Sequence, residues 1–167
     1  GDDDVTVDTA ETPTTPAIAP GQAVALTTDG RLVELDADGG ESATIAELGS
    51  YVDSGGLAVA PDGNDIYLGF RTDDLSDCTG EIRRVDTADG TSDVIATDAD
   101  SPALSPDGTL LAYVTLSKKD DICYRTGIVI EDLASGDALP LDTYPAPGVP
   151  DSTPPALPIS WGPGPFI

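Results

Sequence analysis

The sequence predicts an all-β chain assembled from four-stranded antiparallel units, and three observations carry that prediction. From residue 22 onward, short runs rich in Val, Ile, Leu, Thr and Tyr are each closed by a Gly or Asp cluster. No window places apolar residues at i, i+3, i+4 and i+7 over three helical turns, so strands fit and helices do not. One hairpin is written twice: ALSPDGTLLAYV at 103–114 and AVAPDGNDIYL at 58–68, 45 residues apart from proline to proline. A second hairpin, GRLVELDADGGESATIA from Gly30, returns as GEIRRVDTADGTSDVIA from Gly80, at an offset of 50.

Taken in order, residues 1–21 hold acids, Thr and Pro and almost nothing that could form a core. Such a stretch cannot bury enough surface to offset the entropy of ordering it, and it reads as a disordered leader. Its composition resembles the polar tether behind the lipidated cysteine of a bacterial lipoprotein. Met is absent, so the chain does not begin at its own initiator, and any export signal or lipid anchor would lie upstream.

The first unit, 22–48, shows three strands and needs a fourth from elsewhere. The second, 55–97, and the third, 101–142, each read as strand, Pro-Asp-Gly turn, strand, long loop, strand, Asp-Gly turn, strand. In Ser105-Pro106-Asp107-Gly108, Ser suits the first turn position and Pro presets φ at the second. Asp tolerates the third position and Gly accepts the positive φ that follows, the chemistry of a three-residue hairpin with a glycine bulge. Ala60-Pro61-Asp62-Gly63 keeps all of this but the Ser, and GIVIEDLASGDA at 127–138 is a third copy of the second hairpin. A fourth unit starts at 156–167, where PISWGP echoes PALSP and Trp161 falls on the repeat pattern. The stretch 144–167, with eight of the 15 prolines, reads as a stiff crossing into that unit. Four strands in a unit of about 40–50 residues is the period of a propeller blade. The predicted fold is therefore an incomplete β-propeller of four-stranded antiparallel blades.

The hairpins at 104–114 and 59–68 resemble the WD-repeat-like blades of TolB-type β-propellers, which open on an apolar-Ser-Pro-Asp-Gly hairpin. The likeness covers most of the chain from residue 22 and departs from the pattern at Thr28-Asp29-Gly30, which lacks the proline, and at Gly164. The same repeats form the gating propellers of prolyl-oligopeptidase-like serine peptidases, so the resemblance implies architecture before function. On that architecture Cys78 and Cys123 fall in equivalent loops of blades two and three, 71–80 and 115–127, which emerge on one face. One disulfide between them is expected, with two unpaired thiols as the alternative. A disulfide places the protein outside the cytoplasm.

Thirty-one acidic residues against seven basic ones give a formal charge of −24. That field repels phosphate backbones and argues against nucleic acid as a partner. Twenty-five of the acids are Asp, as Asp-rich turns would need; salt adaptation or a calcium-rich surface are the other readings. Asp62 and Asp107 could ligate a metal, but their spacing serves the turn. Asp36-Ala-Asp38-Gly-Gly-Glu41 lacks the third acidic position and the distal Glu of a calcium loop. With no His, no CxxC pair, no G-x-S-x-G elbow and no cofactor motif, neither a zinc site nor a catalytic centre is expected within 1–167.

The expectation is a noncatalytic, extracytoplasmic interaction or scaffolding module with a protein partner. Lys118, Lys119 and Arg125 cluster in one cysteine-bearing loop and are the candidate docking residues for an acidic partner loop. The plainer reading has them offset Asp120 and Asp121. The alternative function is the N-terminal propeller segment of a propeller-gated serine peptidase whose catalytic domain lies outside this chain. About three blades leave sheet edges open, and those edges predict association with further blades or with a second copy.

Overall fold

A computed structural model describes residue 18 and residues 22–51, 55–71, 78–119 and 122–141, the side chains of Lys119 and Ile122 excepted. Apart from residue 18, the expected leader lies outside the described residues, as do the proline-rich crossing and the fourth unit with Trp161 and Gly164. Among the described residues stand eleven strands and no helix. The first sheet holds β1 (Ala23–Leu26), β2 (Arg31–Leu35) and β3 (Glu41–Glu47). The second holds β4 (Leu57–Val59), β5 (Asp65–Phe70), β6 (Glu81–Asp86) and β7 (Ser92–Thr97). The third holds β8 (Ala99–Leu104), β9 (Leu110–Lys119), β10 (Ile122–Asp132) and β11 (Ala138–Leu141). Every pairing is antiparallel between consecutive strands, and the three meanders stack as successive blades of an incomplete β-propeller.

Blade two is the sandwiched layer, which is why DIYLGF reads as an unbroken apolar run. On β5, Ile66, Leu68 and Phe70 face blade one with Leu32, Ala46 and Val85, while Tyr67 faces blade three with Ile82, Ala99, Leu111 and Tyr113. Side chains alternate along a strand, so a strand buried on both faces must be apolar on both. The Arg83 guanidinium lies 4.3 Å above the Phe70 ring and closes one end of the blade one–two core.

The missing strand of blade one is its first. A Cβ at Gly30 would lie 1.8 Å from the Gly49 carbonyl oxygen, and one at Gly80 would lie 2.4 Å from that of Ala99. The same crowding at an offset of 50 equates β2 with β6, and hence β1 with β5. Thr28-Asp29-Gly30 thus takes the place of the long loop before Gly80, not that of a Pro-Asp-Gly hairpin, and it has no need of the proline. Ile18 stands against Gly63 much as Pro61 stands against Gly108, where the preceding blade's opening turn would be.

The turns form by the chemistry their residues supply. Gly63 and Gly108 have φ of 74° and 72°. The Ser105 hydroxyl donates to Asp107 Oδ1 at 2.6 Å and accepts the Leu110 N–H at 3.0 Å. At the second hairpin type, Asp36, Asp86 and Asp132 each accept backbone N–H groups from their own turns at 2.8–2.9 Å. Asp36 Oδ1 is committed to the Asp38 and Gly40 N–H groups, and Glu41 pairs with Arg31 at 2.8 Å, so the calcium-like spacing serves a turn and an ion pair.

These turns make stability depend on pH. The Ser105 hydroxyl and the Thr109 N–H hold the Asp107 carboxyl below its ordinary value of 3.8, and Thr91 does the same for Asp89. A carboxylate whose pKa is depressed by folding adds stability above its unfolded value and loses it as pH falls through the folded one. The melting temperature should therefore hold down to about pH 4, near the unfolded carboxylate values, and fall below it. Asp107→Asn, which keeps an acceptor but cannot titrate, should flatten that fall in thermal melts recorded between pH 7 and 2.5.

Candidate functional site: an arginine-flanked cavity beside the disulfide

Where blades two and three meet, β5 runs on into Arg71, and β8 begins two residues after β7 with Ala99-Asp100. The β8–β9 register shifts between Asp100 and Ala103, so Ser101 and Pro102 form a bulge. A bulge re-aims the neighbouring side chain and tolerates a proline inside a strand. Asp100 is 4% exposed, and its Oδ1 accepts the Ser101 N–H at 2.7 Å. Its Oδ2 faces two guanidinium groups: Arg125 donates from Nη2 at 3.2 Å, and Arg71 Nη2 stands 3.5 Å away.

Glycine makes room for this carboxylate. A Cβ on Gly55 would lie 1.1 Å from Asp100 Oδ1, and one on Gly69 would lie 2.9 Å from it. Neither glycine has a positive φ, so the requirement is close approach rather than backbone conformation. Gly55→Ala should expel the Asp100 side chain from its recess and destabilise the fold by about 3 kcal/mol, within the range for overpacking a filled site. Urea denaturation of the oxidised protein measures this, and a loss below about 1 kcal/mol would mean that the recess yields.

Cys78 and Cys123 form a disulfide with Cα atoms 5.1 Å apart, and Cys78 is 4% exposed. The bridge staples blade two to β10, next to Arg125. Three non-glycine residues among those described have positive φ: Cys78 at 60°, Asp98 at 51° and Ser101 at 56°. All three lie in this one region. Each left-handed residue costs on the order of 1 kcal/mol, and such conformations persist where the surroundings over-determine them.

A cavity of about 220 Å³ opens here, lined by Arg71, Leu116, Cys123, Tyr124 and Arg125. Two of the chain's five arginines therefore converge on one hollow in a molecule of charge −24. Among the described residues, one buried carboxylate here meets two guanidinium groups. Guanidinium groups in such a hollow bind and orient anions.

Of the residues expected to act, Cys78, Cys123 and Arg125 come together. Arg125 pairs with Asp100 of β8, whereas the sequence pointed to Asp120 and Asp121, which lie outside the described residues. Lys118 sits opposite Cys123 in the β9–β10 ladder with its side chain exposed, and Lys119 ends β9. The expected loop at 115–127 is largely a hairpin extension. β9 and β10 pair without a break from Leu116↔Arg125 to Lys119↔Ile122, and a register shift between Arg125 and Gly127 accommodates the extra residue. Thr115, Ile122, Tyr124 and Thr126 are of the residue types that favour strands, and the disulfide holds the extension down.

Sequence reading missed Arg71, Asp100, Gly55 and Gly69. One signal was available. At the 45-residue offset Gly55-Gly56 aligns with Asp100-Ser101, and both second positions have positive φ, 113° and 56°. Blade three thus places an aspartate where blade two has glycine, and packs it onto that glycine.

No family model matches the chain, and no curated protein does. Among solved structures it is similar to the tricorn protease, with 19% identity over 71% of this chain and 11% of that one, at a TM-score of 0.47. It is also similar to the hydrazine synthase of Kuenenia stuttgartiensis, with 14% identity over 68% of this chain and 36% of that one, again at 0.47. The chain spans a small part of either protein.

Proposed function

We propose that this chain is a noncatalytic β-propeller interaction module of the cell envelope or exterior, akin to TolB-type and WD-repeat-like propellers. It docks an acidic protein partner on the rim that carries Arg71, Arg125 and Lys118, with Lys119 on the same hairpin. The convergence of Arg71 and Arg125 on one cavity supports this reading most directly. The disulfide supports a location outside the reducing cytoplasm, and the acidic Thr/Pro stretch at the start of the sequence suits an envelope tether. The absence of His from the whole sequence supports binding over acid–base catalysis.

A charge of −24 repels an acidic partner at long range, so the rim works only once that field is screened. The Debye length is about 30 Å at 0.01 M salt and about 8 Å at 0.15 M. A Glu-rich peptide should accordingly bind more tightly at 0.15 M than at 0.01 M salt, as read by fluorescence anisotropy. Lys118→Glu should weaken it severalfold. Equal binding of the same peptide with Gln in place of Glu would reject the proposal.

A further inference from the structure

We infer that the cavity beside the disulfide seats a single carboxylate group with an apolar stem. This rests on the reading of the rim as an acidic-partner site and names the chemistry at its centre. Among the described residues, the guanidinium groups of Arg71 and Arg125 both reach Asp100 Oδ2, which shows that the pair already holds a carboxylate oxygen at this cavity. A guanidinium presents five N–H donors in a planar fork, more than one carboxylate oxygen can engage, and that fork matches a carboxylate in two-point contact.

The two arginines play different parts. Arg71, with a side chain 12% exposed, is held against the blade interface, while Arg125, at 33%, faces outward and can swing between Asp100 and an incoming anion. Among the described residues, Leu116, Cys123 and Tyr124 complete the lining, and the buried Leu116 side chain suits methylene groups rather than water. A volume of about 220 Å³ admits one carboxylate-bearing side chain or one chain end, not a folded loop.

The test follows the arginine Nε–Hε signals of the oxidised protein by NMR during titration with isovalerate, isovaleramide and inorganic phosphate. Isovalerate should shift the Arg71 and Arg125 signals saturably and bind at least tenfold more tightly than the other two. Arg125→Gln should weaken it at least tenfold. Because that variant also touches Asp100, Leu116→Phe provides a second arm: it narrows the cavity, keeps both guanidinium groups, and should abolish the shifts while near-ultraviolet circular dichroism stays native. Two short peptides separate the sources of the group. One carries a single Glu with an amidated end, the other a free C-terminus and no acidic side chain, and the one that reproduces the isovalerate shifts identifies the source. Isovaleramide binding as well as isovalerate, or isovalerate shifts that survive Leu116→Phe, would overturn the inference. If Glu-rich peptides bind the rim while isovalerate leaves both arginines unmoved, the docking surface stands and the carboxylate seat falls.

Discussion

Replacing Asp100 by Ala is expected to lower the free energy of unfolding by about 3–5 kcal/mol, the range for breaking a buried ion pair by removing one partner. Asp100 is 4% exposed, and the more buried of its two cations, Arg71, has a side chain only 12% exposed, so water cannot take over the lost charge. The Ser101 N–H also loses its acceptor, and the recess against Gly55 and Gly69 becomes a void. Asp100→Asn separates these terms. It fills the recess and can still accept the Ser101 N–H, so its loss isolates the charge and should be smaller. Arg125→Gln should cost less than either, because one third of that side chain already meets solvent. Urea denaturation under oxidising conditions reads all three. A loss under about 1 kcal/mol for Asp100→Ala would show that the pair is solvated and that the strained backbone around it has another cause.

The order of these effects reflects how far apart in sequence each interaction is written. What four or five consecutive residues carry was legible: the Pro-Asp-Gly turns with their positive-φ glycines and the position of the Asp-Gly hairpins at 38–39 and 89–90, though not the part that Asp86 and Asp132 play in theirs. Stacking was legible in part, because an unbroken apolar run such as DIYLGF has to be covered on both faces. The arginine–aspartate cluster was not. Arg71, Asp100 and Arg125 lie at one rim because β5, β8 and β10 end or bend there, and each taken alone looks like a surface charge in a highly charged chain. The hairpin extension at 115–127 misled for a related reason. Its charged and polar residues resemble a loop, yet the ladder continues through them because the bulge at Arg125/Gly127 absorbs the extra residue. A side-by-side reading of the two blades would have exposed the site. Where a repeat departs from itself, as Gly55 does from Asp100, the chain is doing something other than building a blade.

Removal of the disulfide is the second large effect expected. The bridge closes a separation of 45 residues, for which the chain-entropy model gives a stabilisation of about 4 kcal/mol. Cys78→Ser with Cys123→Ser should lower the free energy of unfolding by about that amount, measured by denaturant titration, with no change when reductant is added to the variant. The blades should remain stacked at neutral pH, since Tyr67, Ile82, Ala99, Leu111 and Tyr113 bury the interface without the bridge. The sharper comparison is with Asp100→Ala. If the staple and the ion cluster were independent, their costs would add. Both hold the same rim, however: Cys123 is two residues from Arg125 on β10, and the bridge limits how far that guanidinium can drift from Asp100. Once the bridge is gone, Arg125 swings into solvent and Arg71 becomes more hydrated, so stranding their charges costs less. The triple variant should therefore lose less stability than the sum of the separate changes, by at least about 1 kcal/mol. Strict additivity would mean that the disulfide staples the blades without shaping the cavity, and that the arginines keep their places by packing alone.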